Sequence, residues 1–487
     1  MRVTFFSGCL AVLLAAALAT FCPAEEKTER FDADPQWDGR NHRASVPGPQ
    51  LIRQDFGYSN SQHAGGGAAG EVGGWLTPAA EAAYYAKPIA EAGFDDALSV
   101  SGKLNCAGNQ FHVLVGFFNA GSVGEWRTPN SIFVRLYGRG DVFYAYVEYC
   151  TGRWRAGGDS PGGFATTIDP DNGRPRLRGF PRGEVHEWSL VYDPQGNGGG
   201  GSITATIGDE TAVCHLDPGH KADGATFNRC GLLSIPKSYD QGGEVWLDDL
   251  AINGQLEGFD AEPAWEAVGN RRNYESFAVR PRFDFGFSET HFAGGAQPGE
   301  LGGVVFRGDN GYAERLAYYG DRLETLSPAK PLRAAGKVAL RRGVSDSTVL
   351  IGFFDTEESL AVSGNQSSGF PMNFLGAAIE GPSSEGFQFY PVYRFPAGAG
   401  GYARGAEVPH ILPDGAVHDW TLEYDPQAGD HGRLTLTFDG QVVPLELSPG
   451  HRDAPARFNR FGIVTTWIDG NAQTVYFDDL TYTWRQE

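Results

Sequence analysis

Hydrophobic and polar positions alternate over short runs along most of the chain. From Val185 to Tyr192 the residues His186, Trp188, Leu190 and Tyr192 fall on one side. A period of two is that of a half-buried strand. The stretch Val185-His-Glu-Trp-Ser-Leu-Val-Tyr-Asp-Pro-Gln195 returns as Val417-His-Asp-Trp-Thr-Leu-Glu-Tyr-Asp-Pro-Gln427. A second strand follows each copy, at Ser202–Ile207 and Arg433–Phe438, so each reads as a hairpin. Ser99–Leu104, Ile132–Leu136 and the aromatic run Phe143–Cys150 are further strands. Pro78–Tyr85 carries helical propensity; its counterpart Asn310–Tyr319 contains Gly311, so a short helix at most is expected there.

The doubling extends over the whole chain. Phe31-Asp-Ala-Asp-Pro-Gln-Trp37 answers to Phe259-Asp-Ala-Glu-Pro-Ala-Trp265, Val113–Phe118 to Val349–Phe354, and Phe227-Asn-Arg229 to Phe458-Asn-Arg460. Each half closes on a strand, Val245-Trp-Leu-Asp-Asp-Leu250 and Val475-Tyr-Phe-Asp-Asp-Leu480. An offset of about 230 residues means tandem domains rather than a solenoid. The expected organisation is a signal peptide over 1–24, a first β-sandwich over 25–255 and a second over 256–487. The short boundary near Asn253–Glu257 brings the two sandwiches into contact. Roughly a dozen strands per half make two packed sheets.

Composition narrows the class. The chain has 487 residues, 68 of them glycine, and a net charge of −21. No basic stripe exists to neutralise phosphates, so nucleic acid is excluded as a partner. The same charge disfavours acidic polysaccharides, except where arginines cluster locally. Arg2 and the apolar Leu10–Ala19 form a secretory leader too short to span a bilayer, cleaved after Ala19 or Ala24. No later segment is long and apolar enough for a membrane span. The expected location is secreted, periplasmic or cell envelope. Cys106, Cys150, Cys214 and Cys230 follow the leader region that holds Cys9 and Cys22. They could make two disulfides by three pairings, or remain four buried thiols.

The order of motifs carries a resemblance. Phe-Asp-x-x-Pro-x-x-Trp comes first, then His-x-Trp leading into Tyr-Asp-Pro, then the closing Val-x-[Leu/Phe]-Asp-Asp-Leu strand. This resembles the concanavalin A-like lectin/glucanase jelly roll, in particular its laminin-G-like branch, in tandem. The overall pattern is also similar to exported proteins of planctomycete bacteria. The resemblance implies an all-β chain of two jelly-roll sandwiches. Such a fold serves lectins, hydrolases, lyases and adhesion modules alike.

Chemistry is sparse. Glucanases of this fold carry Glu-x-Asp-x-x-Glu on one strand; here the nearest match is Glu423-Tyr-Asp425, with Val191 in the first half, so no catalytic residue is assigned. Gly158-Asp-Ser-Pro-Gly162 matches a nucleophile elbow, but Pro161 lacks the N–H that an oxyanion hole needs. The glycines Gly196–Gly201 link two strands, where a dinucleotide fingerprint needs a helix. His186 and His418 suit core packing beside a tryptophan. Glu71 and Glu300, with His63 and His291, suit a loop that ties down its own backbone. Asn228, Arg229, Asn459 and Arg460 recur at equivalent places, which points to structure. Asp32, Asp248, Asp249, Asp260, Asp478 and Asp479 open and close the two halves, and a structural Ca2+ held among them is the one cofactor weighed. The alternative for them is capping by Arg43, Arg272 or backbone N–H groups.

One aromatic set stands apart. Trp126, Asn130, Arg135, Tyr137, Tyr144, Tyr146, Glu148, Arg153 and Trp154 crowd three segments of the first half. Flat rings suit sugar faces, and Arg, Asn and Glu suit hydroxyls. Alternation assigns Phe143, Val147 and Tyr149 to the core instead. The second half keeps a diluted version, Phe387–Arg394. The leading expectation is a non-catalytic protein that binds a glycan or polysaccharide through the first sandwich. The alternatives are a structural or adhesion module of the envelope, and a polysaccharide hydrolase or lyase using Glu148 or His186.

Overall fold

The computed structural model describes residues 24–486, except 44–47, 109–110, 125, 237–240, 278–281, 309–315, 361–368, 406 and 469. The leader therefore lies outside the described residues. Everything regular in the remainder is strand or a short 3-10 turn. No described helix is long and apolar enough to cross a membrane.

The all-β expectation holds: the chain folds as two antiparallel jelly-roll sandwiches. In the first, a back sheet runs in the order Glu210–His215, Ser202–Ile207, His186–Asp193, Leu98–Ala107, Gly243–Ile252, Glu71–Leu76, Gln50–Ser59, Arg272–Ser276. Its front sheet runs Ala156–Gly163, Val142–Cys150, Ser131–Arg139, His112–Phe118, Thr226–Ser234, Tyr84–Gly93, Glu266–Val268. The second sandwich repeats this order with the corresponding strands of the second half, except that Asp38–Arg40 forms the edge of its front sheet and no counterpart of Arg272–Ser276 is present among the described residues. Trp188, Leu190 and Tyr192 of the back sheet meet Val113, Ile132 and Val134 of the front sheet in one buried core. The alternating stretch thus faces inward as its period requires. Asp439 and Gly440, both at positive φ (47° and 82°), make the tight turn after Arg433–Phe438.

Pro78–Tyr85 is not helical. Ala79 bridges Pro236, and Tyr84 and Tyr85 begin the strand Tyr84–Gly93. The pairing of this strand with Thr226–Ser234 overrides local propensity. Most of its counterpart lies outside the described residues. Cys106, Cys150, Cys214 and Cys230 are four separate buried thiols, so no disulfide forms among them.

The sandwiches do not divide where the sequence repeat does. Asn253 and Gly254 form the turn of a hairpin in which Leu250 pairs with Glu257, so the expected boundary at 255/256 falls inside the first sandwich. The chain then continues along the first sandwich. Phe259 and Trp265 enter its core, Glu266–Val268 extends its front sheet and Arg272–Ser276 its back sheet. The equivalent arm at the start of the chain belongs to the second sandwich. Glu25–Glu29 pairs with the last strand, Ala472–Arg485, placing Glu25 opposite Arg485. Phe31 and Trp37 are buried in the second core, and Asp38–Arg40 pairs with Tyr318–Leu326. The polar contacts repeat too. Arg229 bonds Glu266 as Arg460 bonds Asp38, and Arg271 bonds Asp55 as Arg43 bonds Asp284.

Each arm inserts a tryptophan into a core, and replacing a buried Trp by Ala costs roughly 3–5 kcal/mol. We expect Trp37→Ala to destabilise the second sandwich by that amount while the first stays protected, and Trp265→Ala to do the reverse. Hydrogen exchange of the strands Phe374–Glu380 and Ser131–Arg139 reads the two separately. Equal loss in both sandwiches for either variant would contradict the assignment of the arms.

Candidate functional site

Side chains that alternate away from the core line the outer face of the first front sheet. Arg135 comes from Ser131–Arg139, and Tyr144, Tyr146 and Glu148 come from the neighbouring Val142–Cys150. The ladder sets Tyr146 opposite Arg135 and Tyr144 opposite Tyr137. Arg135 is 5% exposed. Its Nε donates to Glu148 Oε1 at 2.6 Å and its Nη2 to Asp159 Oδ1 at 2.6 Å. The guanidinium lies 4.4 Å from the ring centre of Tyr146 and 6.0 Å from that of Trp126. Arg127 approaches the second oxygen of Asp159 at 3.4 Å. Burial opposes the charge on Arg135, but Glu148 and Asp159 outweigh it and hold the group above its ordinary range. The tyrosyl hydroxyl of Tyr146 is pushed up by burial. Tyr137 and Tyr144, 6.4 Å apart, continue this face with partly exposed rings. An open cleft of about 570 Å³ adjoins it, walled by Arg127 and Asp159 on one side and Pro382–Glu385 of the second half on the other.

Six of the nine candidate residues thus gather: Trp126, Arg135, Tyr137, Tyr144, Tyr146 and Glu148. Three serve elsewhere. Asn130, at positive φ, accepts from Thr226 N–H. Trp154, also at positive φ, packs against the core of the second sandwich. Arg153 sits in the same turn, its N–H donating to Thr151 Oγ1. Alternation could not exclude them, because all three lie in turns rather than strands. Asp159 and Arg127 were missed, since nothing local marks the strand Ala156–Gly163 as the neighbour of Val142–Cys150.

The carboxylates weighed for calcium differ in environment. Asp32 and Asp260 are exposed; Asp248 and Asp478 are buried. Asp249 pairs with Lys103 at 2.8 Å and Asp479 with Lys337 at 3.0 Å. Arg43 and Arg272 bind Asp284 and Glu81 instead. Among the described residues no three His, Cys, Asp or Glu side chains are placed to hold a metal ion.

The histidine and glutamate motifs hold loops. Glu71 accepts from Ser61 Oγ, His63 N and Ala64 N at 2.6–2.8 Å; Glu300 accepts from Thr290 Oγ1, Phe292 N and Ala293 N. Three donors on one buried carboxylate satisfy its oxygens. His186 bonds the Pro181 carbonyl beside Phe143, and His418 bonds Asp439 at 2.6 Å. His186 is therefore not within the Arg135 cluster. Asn228 bonds Ala120 N–H and Asn459 bonds Thr356 N–H, a structural duty in both halves.

No family model and no curated protein matches the sequence. Solved structures with some likeness include domains LG4–5 of the mouse laminin alpha1 chain, at 12% identity over 91% of this chain and 96% of that one, TM-score 0.24. The endo-beta-1,4-glucuronan lyase of the fungus Trichoderma reesei aligns at 14% identity over 41% of this chain and 87% of its own, TM-score 0.30. The Emp47p carbohydrate recognition domain aligns at 8% identity over 41% and 88%, TM-score 0.25. Likeness at this level adds no argument about activity, and the sandwich assignment stands on the strand pairings themselves.

Asp478 generates a pH prediction. Burial lifts its carboxyl from 3.8 to about 6, and its Oδ2 has no hydrogen-bond partner among the described residues. The folded state therefore binds this proton more tightly than the unfolded one, and the stability so gained is lost as pH rises through about 6. Between about pH 4 and about pH 8 this site alone should remove on the order of 2 kcal/mol. Urea unfolding of Asp478→Asn should show a pH dependence flatter than wild type by that amount. An unchanged slope would remove Asp478 as the cause.

Proposed function

We propose that this is an exported glycan-binding protein whose site is the outer face of the first front sheet. One observation carries the reading: Arg135 is held nearly buried between Glu148 and Asp159 and under Tyr146, directly beside the partly exposed rings of Tyr137 and Tyr144. A preorganised charged cluster fixes polar groups at the floor, and the neighbouring rings offer apolar faces to a pyranose. The ion pairs leave Arg127 and Asp159 at the mouth of the cleft, where sugar hydroxyls could replace water. The register supports a role particular to the first half. Ala378 and Val392 occupy the positions that Arg135 and Glu148 hold in the first sandwich. Scaffold positions repeat, while this face does not.

The double variant Tyr137→Ala/Tyr144→Ala removes the partly exposed rings and spares the core. Against a panel of neutral poly- and oligosaccharides, wild type should bind at least one class, with its melting temperature raised by that ligand. The variant should bind about tenfold or more weakly, equivalent to ~1.4 kcal/mol, with an unchanged melting temperature in the absence of sugar. No binding by wild type, or equal binding by the variant, refutes the site.

A further inference from the structure

The second sandwich has a site of different chemistry. Glu380 ends the strand Phe374–Glu380 with its side chain between two arginines. Its Oε1 accepts from Arg307 Nη2 at 2.9 Å and its Oε2 from Arg404 Nη1 at 3.0 Å. Tyr390 also donates its hydroxyl to Oε2. These residues line a pocket of about 210 Å³, with Phe370 and Tyr402 as an aromatic wall whose ring centres are 5.9 Å apart.

The charges do not balance. Burial, followed by the charge of Glu380, pushes the Tyr390 hydroxyl well above its ordinary range, so it stays neutral. Two guanidinium groups then face one carboxylate, leaving one net positive charge among the described lining residues. The donors are in excess as well. Each arginine spends one nitrogen on Glu380, and a guanidinium has five N–H groups. Arg307 Nε and Thr348 Oγ1 are buried there without a partner among the described residues. A partly buried, unbalanced cation is costly unless an anion completes it. The chain as a whole carries −21, so it repels extended polyanions and tolerates an acidic group only where arginines concentrate. Arg404 lies 5.7 Å from the Tyr402 ring, so charge and aromatic face are presented together.

We propose that this pocket binds a carboxylate-bearing sugar, a uronic acid residue, with its carboxylate on Arg307 and Arg404 and its ring against Tyr402. The site is independent of the Arg135 face, which has no counterpart of Glu380 at the equivalent register position, Tyr137.

Calorimetric titration of the full chain with glucuronate and galacturonate disaccharides, their neutral hexose counterparts and acetate tests this. In the Tyr137→Ala/Tyr144→Ala background, where the first face no longer contributes, the uronates should bind and the neutral sugars should not. Arg404→Gln should weaken uronate binding about tenfold or more, and Tyr402→Ala should do the same. Both residues are partly exposed, so the fold should survive either change. Tyr137→Ala/Tyr144→Ala should leave uronate binding intact, which separates this site from the first. Absent uronate binding, equal binding of neutral hexoses in the Tyr137→Ala/Tyr144→Ala background, equal competition by acetate, or insensitivity to both second-sandwich variants would each overturn the assignment.

Discussion

Two tryptophans, Trp37 and Trp265, tie the molecule together by entering cores that are out of step with the sequence repeat. Trp265 follows the first sandwich in sequence and closes it by folding back through the Asn253–Gly254 turn. Trp37 precedes the first sandwich and closes the second, more than 240 residues away. The second core is thus completed by the beginning of the chain, and the first and last strands lie side by side. A linear chain so arranged cannot separate its halves without opening one of them. Direct contacts add to the tie: Ser383 O accepts from Ala156 N at 2.6 Å, and Arg342 donates to Gly124 O at 2.8 Å.

The same closing geometry explains why the polar scaffold recurs so faithfully. Gly66 and Gly295 sit where any Cβ would lie within 1.8 and 1.9 Å of the buried Asp248 and Asp478 carboxylates. Those two glycines are required by close approach rather than by turn geometry. The neighbouring glutamates, Glu71 and Glu300, hold the preceding loops by their backbone N–H groups. The two glutamates spend both of their carboxylate oxygens on these loops. Repetition here marks parts that close a sandwich, and departure from repetition marks the two outer faces.

Those faces show how one ladder yields two chemistries. Tyr146 and Tyr390 occupy the same register position. In the first sandwich the tyrosine covers an arginine wedged between two carboxylates; in the second it bonds a carboxylate wedged between two arginines. The inversion changes the local charge balance on equivalent strands: with Arg127 on Asp159 the first cluster is balanced, whereas the second carries one arginine in excess. An acidic surface overall does not therefore decide what each pocket accepts, because short-range ion pairs act inside the screening length of the bulk charge.

Much of this was legible from residue order alone. Alternation with period two, the doubled hairpin and the closing Asp-Asp-Leu strand suffice for two all-β sandwiches, because side-chain direction in a strand is local. The same rule correctly put Tyr144, Tyr146 and Glu148 on one face and Phe143, Val147 and Tyr149 in the core. Turn residues escaped it: Asn130, Arg153 and Trp154 have no period, and the structure uses Asn130 and Trp154 to bind chain segments. Arg127, Asp159, Arg307 and Arg404 became part of sites through strand and loop neighbours distant in sequence. The sequence by itself determined the elements, their faces and their repetition. Tertiary structure alone decided which core each arm closes and which charges meet, because hydrogen-bonded strand edges and ion pairs are satisfied by whatever partner packing delivers, and local periodicity does not name that partner.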